Sequence, residues 1–573
     1  MTETNAHTIK RWKIAPLIPR HINQELNAHS PFLRQLLFNR GIITAEAAQA
    51  YLSQESPTNP DPFQLKGMDK AVALIHEALE SEKKIAIYGD YDTDGVTSLA
   101  VHYEFFNQLG HTPRVYIPNR FDEGYGLNSD AIQQLHEEGI DLIITVDCGI
   151  RANTEVALAK ELGMQVIVSD HHLPGPTLPQ ADAVIDPHQP ADLYPYKMLA
   201  GVGLAYKIAK AYLQSYPQKG IDPAQWLDLV AIGTVVDVAP LDGENRALVK
   251  AGLKAMRNTH RQGLFSLIQA SGIKIEQLNA GHLGFAIGPR LNAAGRMDSA
   301  LAAFELLTTQ DLFQAGMLAQ TLDNYNQQRK DITHAIQEAV INEASALDPD
   351  IPVVISVSAD YEAGVVGLAA GRVAESFYKP AIIGRYEDGW IRASSRSIPE
   401  FNIVEALEQC ADLLDHYGGH AMAAGLTVHE SLLEEFSERL IQIARDTLAG
   451  MELVPELAID YEISLDRLRP EHVPGILSDI AQLEPTGTHN PDALFCSRNC
   501  KVLRAWAVGD GRHLKLTLGA GSHQFDAIAF NQGYWLTDLP SHLDIAYTFE
   551  INSYQGRQSL QLNVRDIKAS EVG

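Results

Sequence analysis

From residue 83 to about 240 the chain alternates short, almost wholly apolar runs with longer segments of helical periodicity, and this alternation restricts the fold more than any other feature. The runs are Ile85 to Tyr88, Val115 to Ile117, Leu142 to Val146, Gln165 to Val168 and Ala183 to Ile185. Helices are predicted between them, from about Val96 to Leu109, Ser129 to Glu138 and Thr154 to Leu162. Strands so nearly continuous in apolar residues are buried on both faces, which indicates a mostly parallel sheet covered by helices on each side. Such sheets hold their ligands beyond the carboxyl ends of the strands. The residues that follow each run are therefore where chemistry is expected.

Those residues are acidic. The first run leads into Gly89-Asp90-Tyr91-Asp92-Thr93-Asp94-Gly95. In an extended chain the side chains at 90, 92 and 94 point the same way, and three carboxylates so close repel unless a cation lies among them. A solvated acidic loop is the plainer reading, but similar residues recur at Asp147-Cys148-Gly149, Asp170-His171-His172 and Asp237, the last at the end of an apolar helix. An oxygen-rich set with one imidazole suits Mn²⁺ or Mg²⁺ better than zinc. Two such ions can clamp a phosphate between them. A nucleotide-triphosphatase loop is absent, since no G-x4-G-K-[ST] occurs.

The remainder divides by pattern. Residues 1–70 read as a helical segment, with helical spacing from Pro31 to Arg40 and from Ala45 to Leu52, and prolines at 60 and 62 before a helix from Met68. Residues 71–305 form the α/β domain just described. A long polar helix over 306–346 reads as a connector, with Arg329 and Lys330 serving solvation and a substrate role as the alternative. A second α/β domain is expected over 347–450. From 451 to 573 the alternation in Leu514 to Leu518, Phe525 to Phe530 and Leu560 to Val564 predicts a small β-barrel.

At 573 residues several cores are needed. The net charge of -27 argues against nonspecific coating of duplex DNA, but says little about an enclosed site whose carboxylates bind cations. Four cysteines do not make a disulfide framework, and Cys496 and Cys500 lack the second ligand pair of a zinc site. No apolar run approaches the roughly 18 residues of a membrane span, and the opening stretch does not read as a secretory signal. The expected location is the cytoplasm.

The Asp-Tyr-Asp-Thr-Asp-Gly run, Asp147-Cys-Gly149, Asp170-His171-His172 and Asp237 resemble the successive motifs of the DHH phosphoesterase superfamily. The resemblance implies that Asp92, Asp147 and Asp90 hold one ion, and that Asp94, Asp147, His171 and Asp237 hold the other, with Asp147 bridging. It leaves His172 to contact the scissile phosphate and Asp170 to orient a neighbouring histidine, so Asp90, His172 and Asp170 are the catalytic candidates beside the metal ligands.

Further motifs resemble the RecJ exonuclease family within that superfamily. They are Pro118-Asn119-Arg120, the run Gly288-Pro289-Arg290-Leu291-Asn292-Ala293-Ala294-Gly295-Arg296, Gly364-Val-Val-Gly367 and Gly371-Arg372, Ser394 with Arg396, and Gly418-Gly419-His420. The resemblance assigns Arg120, Arg290, Asn292, Arg296, Ser394, Arg396 and His420 to the phosphate and DNA path, although His420 also suits a structural role. The second α/β domain is similar to DHHA1 domains and the barrel to an OB-fold. Trp506, Arg512, His513, Lys515, Tyr554 and Arg557 are its candidate strand contacts. The chain departs from the family at Tyr361 and Glu362, where tryptophan and histidine are usual and tyrosine is expected to keep an aromatic face. It departs also at Ala393, Thr486 and His489.

The implied activity is stepwise hydrolysis of single-stranded DNA from its 5′ end to 5′-mononucleotides, with two divalent cations, Mn²⁺ preferred and Mg²⁺ possible. The implied setting is recombination and repair beside a helicase and a single-strand binding protein. Two rivals are a DHH phosphodiesterase for short RNA or cyclic dinucleotides, and a non-catalytic replication scaffold. The barrel and the Gly-Pro-Arg-Leu-Asn motif weigh against the first, and the full metal set weighs against the second.

Overall fold

The structure, a computed structural model, describes residues 10–53, 60–120, 122–345, 350–521, 523–554 and 557–570. The chain forms two compact units, one of residues 60–239 and 251–455 and the other of residues 10–59, 240–250 and 456–573.

The first unit opens with the expected sheet. Its five strands are all parallel, in the order Arg114–Tyr116, Ile85–Gly89, Leu142–Val146, Gln165–Ser169, Ala183–Ile185. Every residue of Ile85–Gly89 and Leu142–Val146 is buried, as continuous apolar strands require. The register sets up the chemistry. Gly89 pairs with Val146, so Asp90 and Asp147 leave the sheet side by side, and Ser169 pairs with Ile185, so Asp170 and Asp186 do the same.

Helix Leu227–Val236 is apolar on all sides and mostly buried, which fits its place among helices Thr93–Gln108 and Gly201–Ser215. Helix Leu312–Ser345 has 34 residues and a length of about 50 Å. Its apolar positions Ile332, Ile336 and Val340 pack against Val366, Ala369, Ala370 and Val373 of helix Val366–Phe377, so it is bound to the next domain rather than suspended in solvent. That domain carries a sheet in the order Leu414–His420, Ala423–His429, Trp390–Arg396, Ala381–Glu387, Val354–Ser358, with its last pair parallel and the others antiparallel.

In the second unit strands Phe495–Val508, His513–Ala520, His523–Ala529, Arg557–Ala569 and His542–Tyr554 follow one another, and the first pairs with the last to close a barrel. Leu514, Leu516 and Leu518 point inward, as the alternation predicts. The helices placed in the opening segment do not pack by themselves. Ile22, Leu26, Leu33, Leu36 and Leu37 share one core with Leu516, Phe525 and Ile545, and strand Arg11–Ile14 pairs in parallel with Glu456–Ile459. Sequence periodicity marks the helices, but their partner lies more than 400 residues away. Arg246 ties residues 240–250 into the same unit: its guanidinium donates to the carbonyls of Tyr51, Gln482, Leu483, Glu484 and Pro485 and stacks 3.8 Å from the Tyr51 ring centroid.

Among the described residues no helix is long and apolar enough to cross a membrane.

Candidate metal and phosphate site

The carboxylates of the first motif do gather, but not as an extended chain. Only Asp90 continues the strand. Asp92 caps helix Thr93–Gln108, its Oδ1 accepting from the amides of Asp94 at 2.8 Å and Gly95 at 3.1 Å, and Asp94 lies in the first helical turn. The helix therefore begins three residues before the predicted Val96, because a capping aspartate starts it. Gly95 is required by this turn, since a Cβ there would lie 2.5 Å from the carbonyl oxygen of Asp90.

Asp94 is fixed by a second helix. Its two oxygens accept from the amides of Gly201 at 2.6 Å and Val202 at 2.9 Å, at the N-terminus of helix Gly201–Ser215. Asp147 sits at φ 60°, a left-handed conformation that aspartate tolerates, and this turns the chain sharply out of its strand. His171 stands between the carboxylates. Its Nε2 is 3.0 Å from Asp147 Oδ1 and 3.7 Å from Asp94 Oδ2, and its Nδ1 is 3.9 Å from Asp237 Oδ2.

Three groups of side chains converge closely enough to share an ion: Asp90, Asp92 and Asp147; Asp94, His171 and Asp237; and Asp147, His171 and His172. Burial, then Asp92, pushes the Asp90 carboxyl up to about 8. Burial and Asp94 push Asp237 up to about 8, while Asp94 reaches about 6, with burial and Asp92 raising it against the pull of His171. Asp147 is raised well above the ordinary range by burial and then by Asp94 and Asp92. Carboxylates in this condition lack compensating positive charge. Moreover Asp90 Oδ1, Asp147 Oδ1 and His171 Nε2 are buried and make no hydrogen bond. Buried polar atoms without partners are rare, and a pair of divalent cations sharing Asp147, one beside Asp90 and one beside His171, would satisfy them. The donor set therefore fits hard divalent ions.

His172, which converges with Asp147 and His171, is also held by Asp170. Asp170 Oδ1 lies 2.7 Å from His172 Nδ1 and also accepts from the amides of His171 and His172, while its Oδ2 accepts from the amide of Ile150. Burial works to raise Asp170, but the hydrogen bond and charge of His172 outweigh it and hold the carboxyl below its ordinary value. With Nδ1 engaged, Nε2 is the ring nitrogen left for another partner. The Tyr125 hydroxyl lies 3.3 Å from His172 Nδ1 and donates to the Asp147 carbonyl at 3.3 Å.

Sequence reading passed over Asp186. It is wholly buried beyond strand Ala183–Ile185; one oxygen accepts from the His188 amide at 2.6 Å and the other, Oδ2, has no partner. Burial raises it to about 7. The signal was present, since Asp186 follows an apolar run in the same way as Asp90 and Asp147.

The residues assigned to the phosphate path separate into two groups. Arg120 lies over the Tyr91 ring at 4.8 Å and is felt by Asp90. Arg296 donates to the Gly364 carbonyl at 3.0 Å. Ser394 and Arg396 flank Gly367, where a Cβ would lie 3.3 Å from Ser394 Oγ and 3.4 Å from an Arg396 terminal nitrogen. Burial lowers Arg296 to about 9, helped by the charges of Arg120, Arg329 and Arg396, so arginines of both α/β domains of this unit meet at one place. Arg290 and Asn292 are engaged elsewhere. Arg290 pairs with Asp323 of the long helix at 2.8 Å, and Asn292 Oδ1 accepts from both the amide and the hydroxyl of Thr93 at 2.8 Å. Asn292 thus braces the metal loop. His420 is exposed at the end of strand Leu414–His420, opposite Ala423.

Of the departures, Tyr361 presents no aromatic face: it is buried, with its hydroxyl 2.9 Å from Ser356 Oγ. Glu362 pairs with Arg385 at 3.7 Å. Arg329 does not serve solvation, being half-buried with its Nε enclosed and unpaired. On the barrel, Trp506 is 40% exposed and pairs across strands with Lys515, which in turn pairs with Ile528, giving an aromatic and a cation on one outer face. Arg512 lies in an exposed turn, and His513 Nδ1 accepts from the Asn531 amide. The side chains of Tyr554 and Arg557 lie outside the described residues. Cys496 and Cys500 are buried in the barrel, and neither belongs to a metal-capable group among the described residues.

Residues 84–234 match the DHH family N-terminal domain, 350–446 the DHHA1 domain and 459–566 the RecJ OB domain. The chain is 38% identical to the single-stranded-DNA-specific exonuclease RecJ of Bacillus subtilis, over 95% of this chain and 68% of that one. It is 37% identical to the protein of the same name from Salmonella typhimurium, over 94% and 96%. The crystal structure of RecJ in complex with Mn²⁺ from Thermus thermophilus superimposes with a TM-score of 0.84 at 31% identity, covering 98% of this chain and 80% of that one.

Proposed function

The chain belongs to the RecJ family of DHH phosphoesterases, and from that membership we propose how its own residues cut DNA. It is a metal-dependent exonuclease of single-stranded DNA. Asp90, Asp92 and Asp147 on one side, and Asp94, Asp147, His171 and Asp237 on the other, would hold two divalent cations, Mn²⁺ or Mg²⁺. Such ions acidify water and offset the charge that develops on a phosphate under attack.

The remaining roles belong to the chain itself. Asp170 fixes the His172 imidazole so that Nε2 meets the scissile phosphate as a donor. Asn292 holds Thr93, and through it the capping Asp92, in place. Arg120, Arg296, Ser394 and Arg396 take the 5′-terminal phosphate, with guanidinium forks suited to its oxygens. Held by that end, the strand is cut from 5′ to 3′ with release of 5′-mononucleotides, and Trp506, Arg512 and Lys515 of the barrel bind bases and backbone of single-stranded DNA. Arg290 keeps the long helix in register with the catalytic domain through Asp323, and His420 lies on the strand that borders the second domain. The sequence division at 70, 305, 346 and 450 is retained as a functional one. A cytoplasmic setting, a role in recombination and repair, and work alongside a helicase and a single-strand binding protein complete the reading.

One observation carries the catalytic assignment: the buried, unpartnered Asp90 Oδ1, Asp147 Oδ1 and His171 Nε2 converge at the ends of adjacent strands. The test is product analysis with Mn²⁺ on single-stranded DNA labelled at either end, wild type beside Asp147→Ala. Mononucleotides released progressively from the 5′ end by wild type alone are expected. Turnover of dinucleotides or cyclic dinucleotides with an intact DNA strand would move the protein to the small-substrate branch. Strand binding without hydrolysis would make it a scaffold.

A further inference from the structure

In a chain with 72 acidic and 45 basic residues, five arginines of one region make no salt bridge among the described residues. Among the described residues Arg120, Arg296, Arg329, Arg372 and Arg396 form no ion pair, whereas Arg261, Arg290 and Arg385 of the same unit each do. Arg120, Arg296 and Arg396 are accounted for by the terminal phosphate. Arg329 and Arg372 are not.

Their placement follows from helix packing. Ile332, Ile336 and Val340 of the long helix are seated on Val366, Ala369, Ala370 and Val373. Arg329 lies one turn before Ile332, and Arg372 lies one turn after Ala369, so both emerge beside the same seam. Arg329 donates from one terminal nitrogen to Asn326 Oδ1 at 3.0 Å, while its Nε is enclosed and has no acceptor. Burial and the charge of Arg372 lower Arg329, and Arg329 in turn lowers Arg296. Arg296, which donates to the Gly364 carbonyl just before helix Val366–Phe377, feels the charge of Arg329, and Arg329 that of Arg372.

We propose that Arg329 and Arg372 form a second anion subsite, adjoining Arg296, that takes the additional phosphates of a 5′-polyphosphorylated strand end. This rests on the reading that Arg120, Ser394 and Arg396 hold the terminal 5′-phosphate. A monophosphate satisfies that first pocket and leaves the outer pair unused. A di- or triphosphate extends to Arg329 and Arg372, whose guanidinium groups form no ion pair among the described residues.

The experiment is displacement of a fluorescent 5′-phosphorylated single strand by inorganic tripolyphosphate and by orthophosphate, without divalent metal, so that nothing is hydrolysed or chelated. Wild type should prefer tripolyphosphate by about tenfold or more, the worth of one charge-assisted hydrogen bond. Arg329→Gln with Arg372→Gln should erase that preference while orthophosphate displaces as before, and Arg329→Lys should restore part of it. Equal preference in wild type and the double variant overturns the proposal, as does a wild type that does not distinguish the two anions. A wild type that shows the preference but fails to hydrolyse DNA with Mn²⁺ upholds the subsite and overturns the exonuclease reading.

Discussion

The backbone amide of Gly201 donates to Asp94 Oδ2 at 2.6 Å, so a metal-facing carboxylate also closes the N-terminus of a 15-residue helix. Position 201 has no room for a side chain. A Cβ there would lie 2.8 Å from Asp147 Cβ and 3.0 Å from Asp94 Oδ2. Gly201→Ala should therefore displace two ligands at once and lower Mn²⁺ affinity by about 10–100-fold, the usual cost of disturbing what orients a ligand. Titration of Mn²⁺ by electron paramagnetic resonance measures it, and unchanged affinity would separate the helix cap from the metal set.

Asp170→Asn keeps the size of the side chain and removes its charge. The His172 ring loses the partner that now fixes it at 2.7 Å. Hydrolysis of a 5′-phosphorylated strand at saturating Mn²⁺ should fall about 10–100-fold in kcat, with Mn²⁺ affinity retained. A loss confined to metal affinity would show that Asp170 supports His171 instead.

Arg261 lies buried between Glu104 and Asp228, donating to Asp228 Oδ2 at 3.1 Å and to Glu104. Arg261→Met leaves the buried Asp228 and the half-buried Glu104 without their cation and should destabilise the unit by about 3–5 kcal/mol. Urea unfolding measures this. Combining the change with Glu104→Gln and Asp228→Asn should recover much of the loss, because the cost lies in the abandoned charges.

His102 is wholly enclosed in helix Thr93–Gln108, and neither ring nitrogen has a partner. Burial lowers it to about 3 from the 6.5 of an exposed imidazole. The unfolded chain therefore binds a proton that the folded chain refuses between those values. Its contribution to stability is complete above pH 6.5 and is lost as pH falls toward 3, by about 1.4 kcal/mol per pH unit. His102→Leu should flatten that part of the stability profile in urea titrations at about pH 7, 6 and 5. An unchanged slope would assign acid sensitivity to other groups.

The central sheet could be read directly, because five buried strands and their intervening helices leave a local imprint in hydrophobic pattern. Asp147, His171 and Asp237, which the structure brings into groups able to hold an ion, were legible for the same reason, each standing where a buried segment ends. What escaped depends on distant partners. Nothing local shows that Asn292 would turn to Thr93, that Arg290 would be drawn to Asp323, or that Arg329 on a polar helix would be enclosed by a helix about 40 residues on. The crowding of Asp90, Asp92 and Asp94 was expected for a reason that the structure replaces, since Asp92 is a helix cap rather than part of an extended strand. The N-terminal helices were legible as helices, yet only the fold reveals that their apolar faces belong to the barrel.

That last arrangement bears on how the molecule is made. Trp12 donates to Asp566 at 2.6 Å across 554 residues of sequence. At about 5–20 residues per second, a ribosome delivers the second residue roughly 30–110 seconds after the first. Through that interval the catalytic unit can close upon itself, whereas Leu26, Leu33 and Leu36 have no core to enter. The segment from Trp12 to Leu37 is thus made early and sheltered late, after the barrel strands that complete its core have been synthesised.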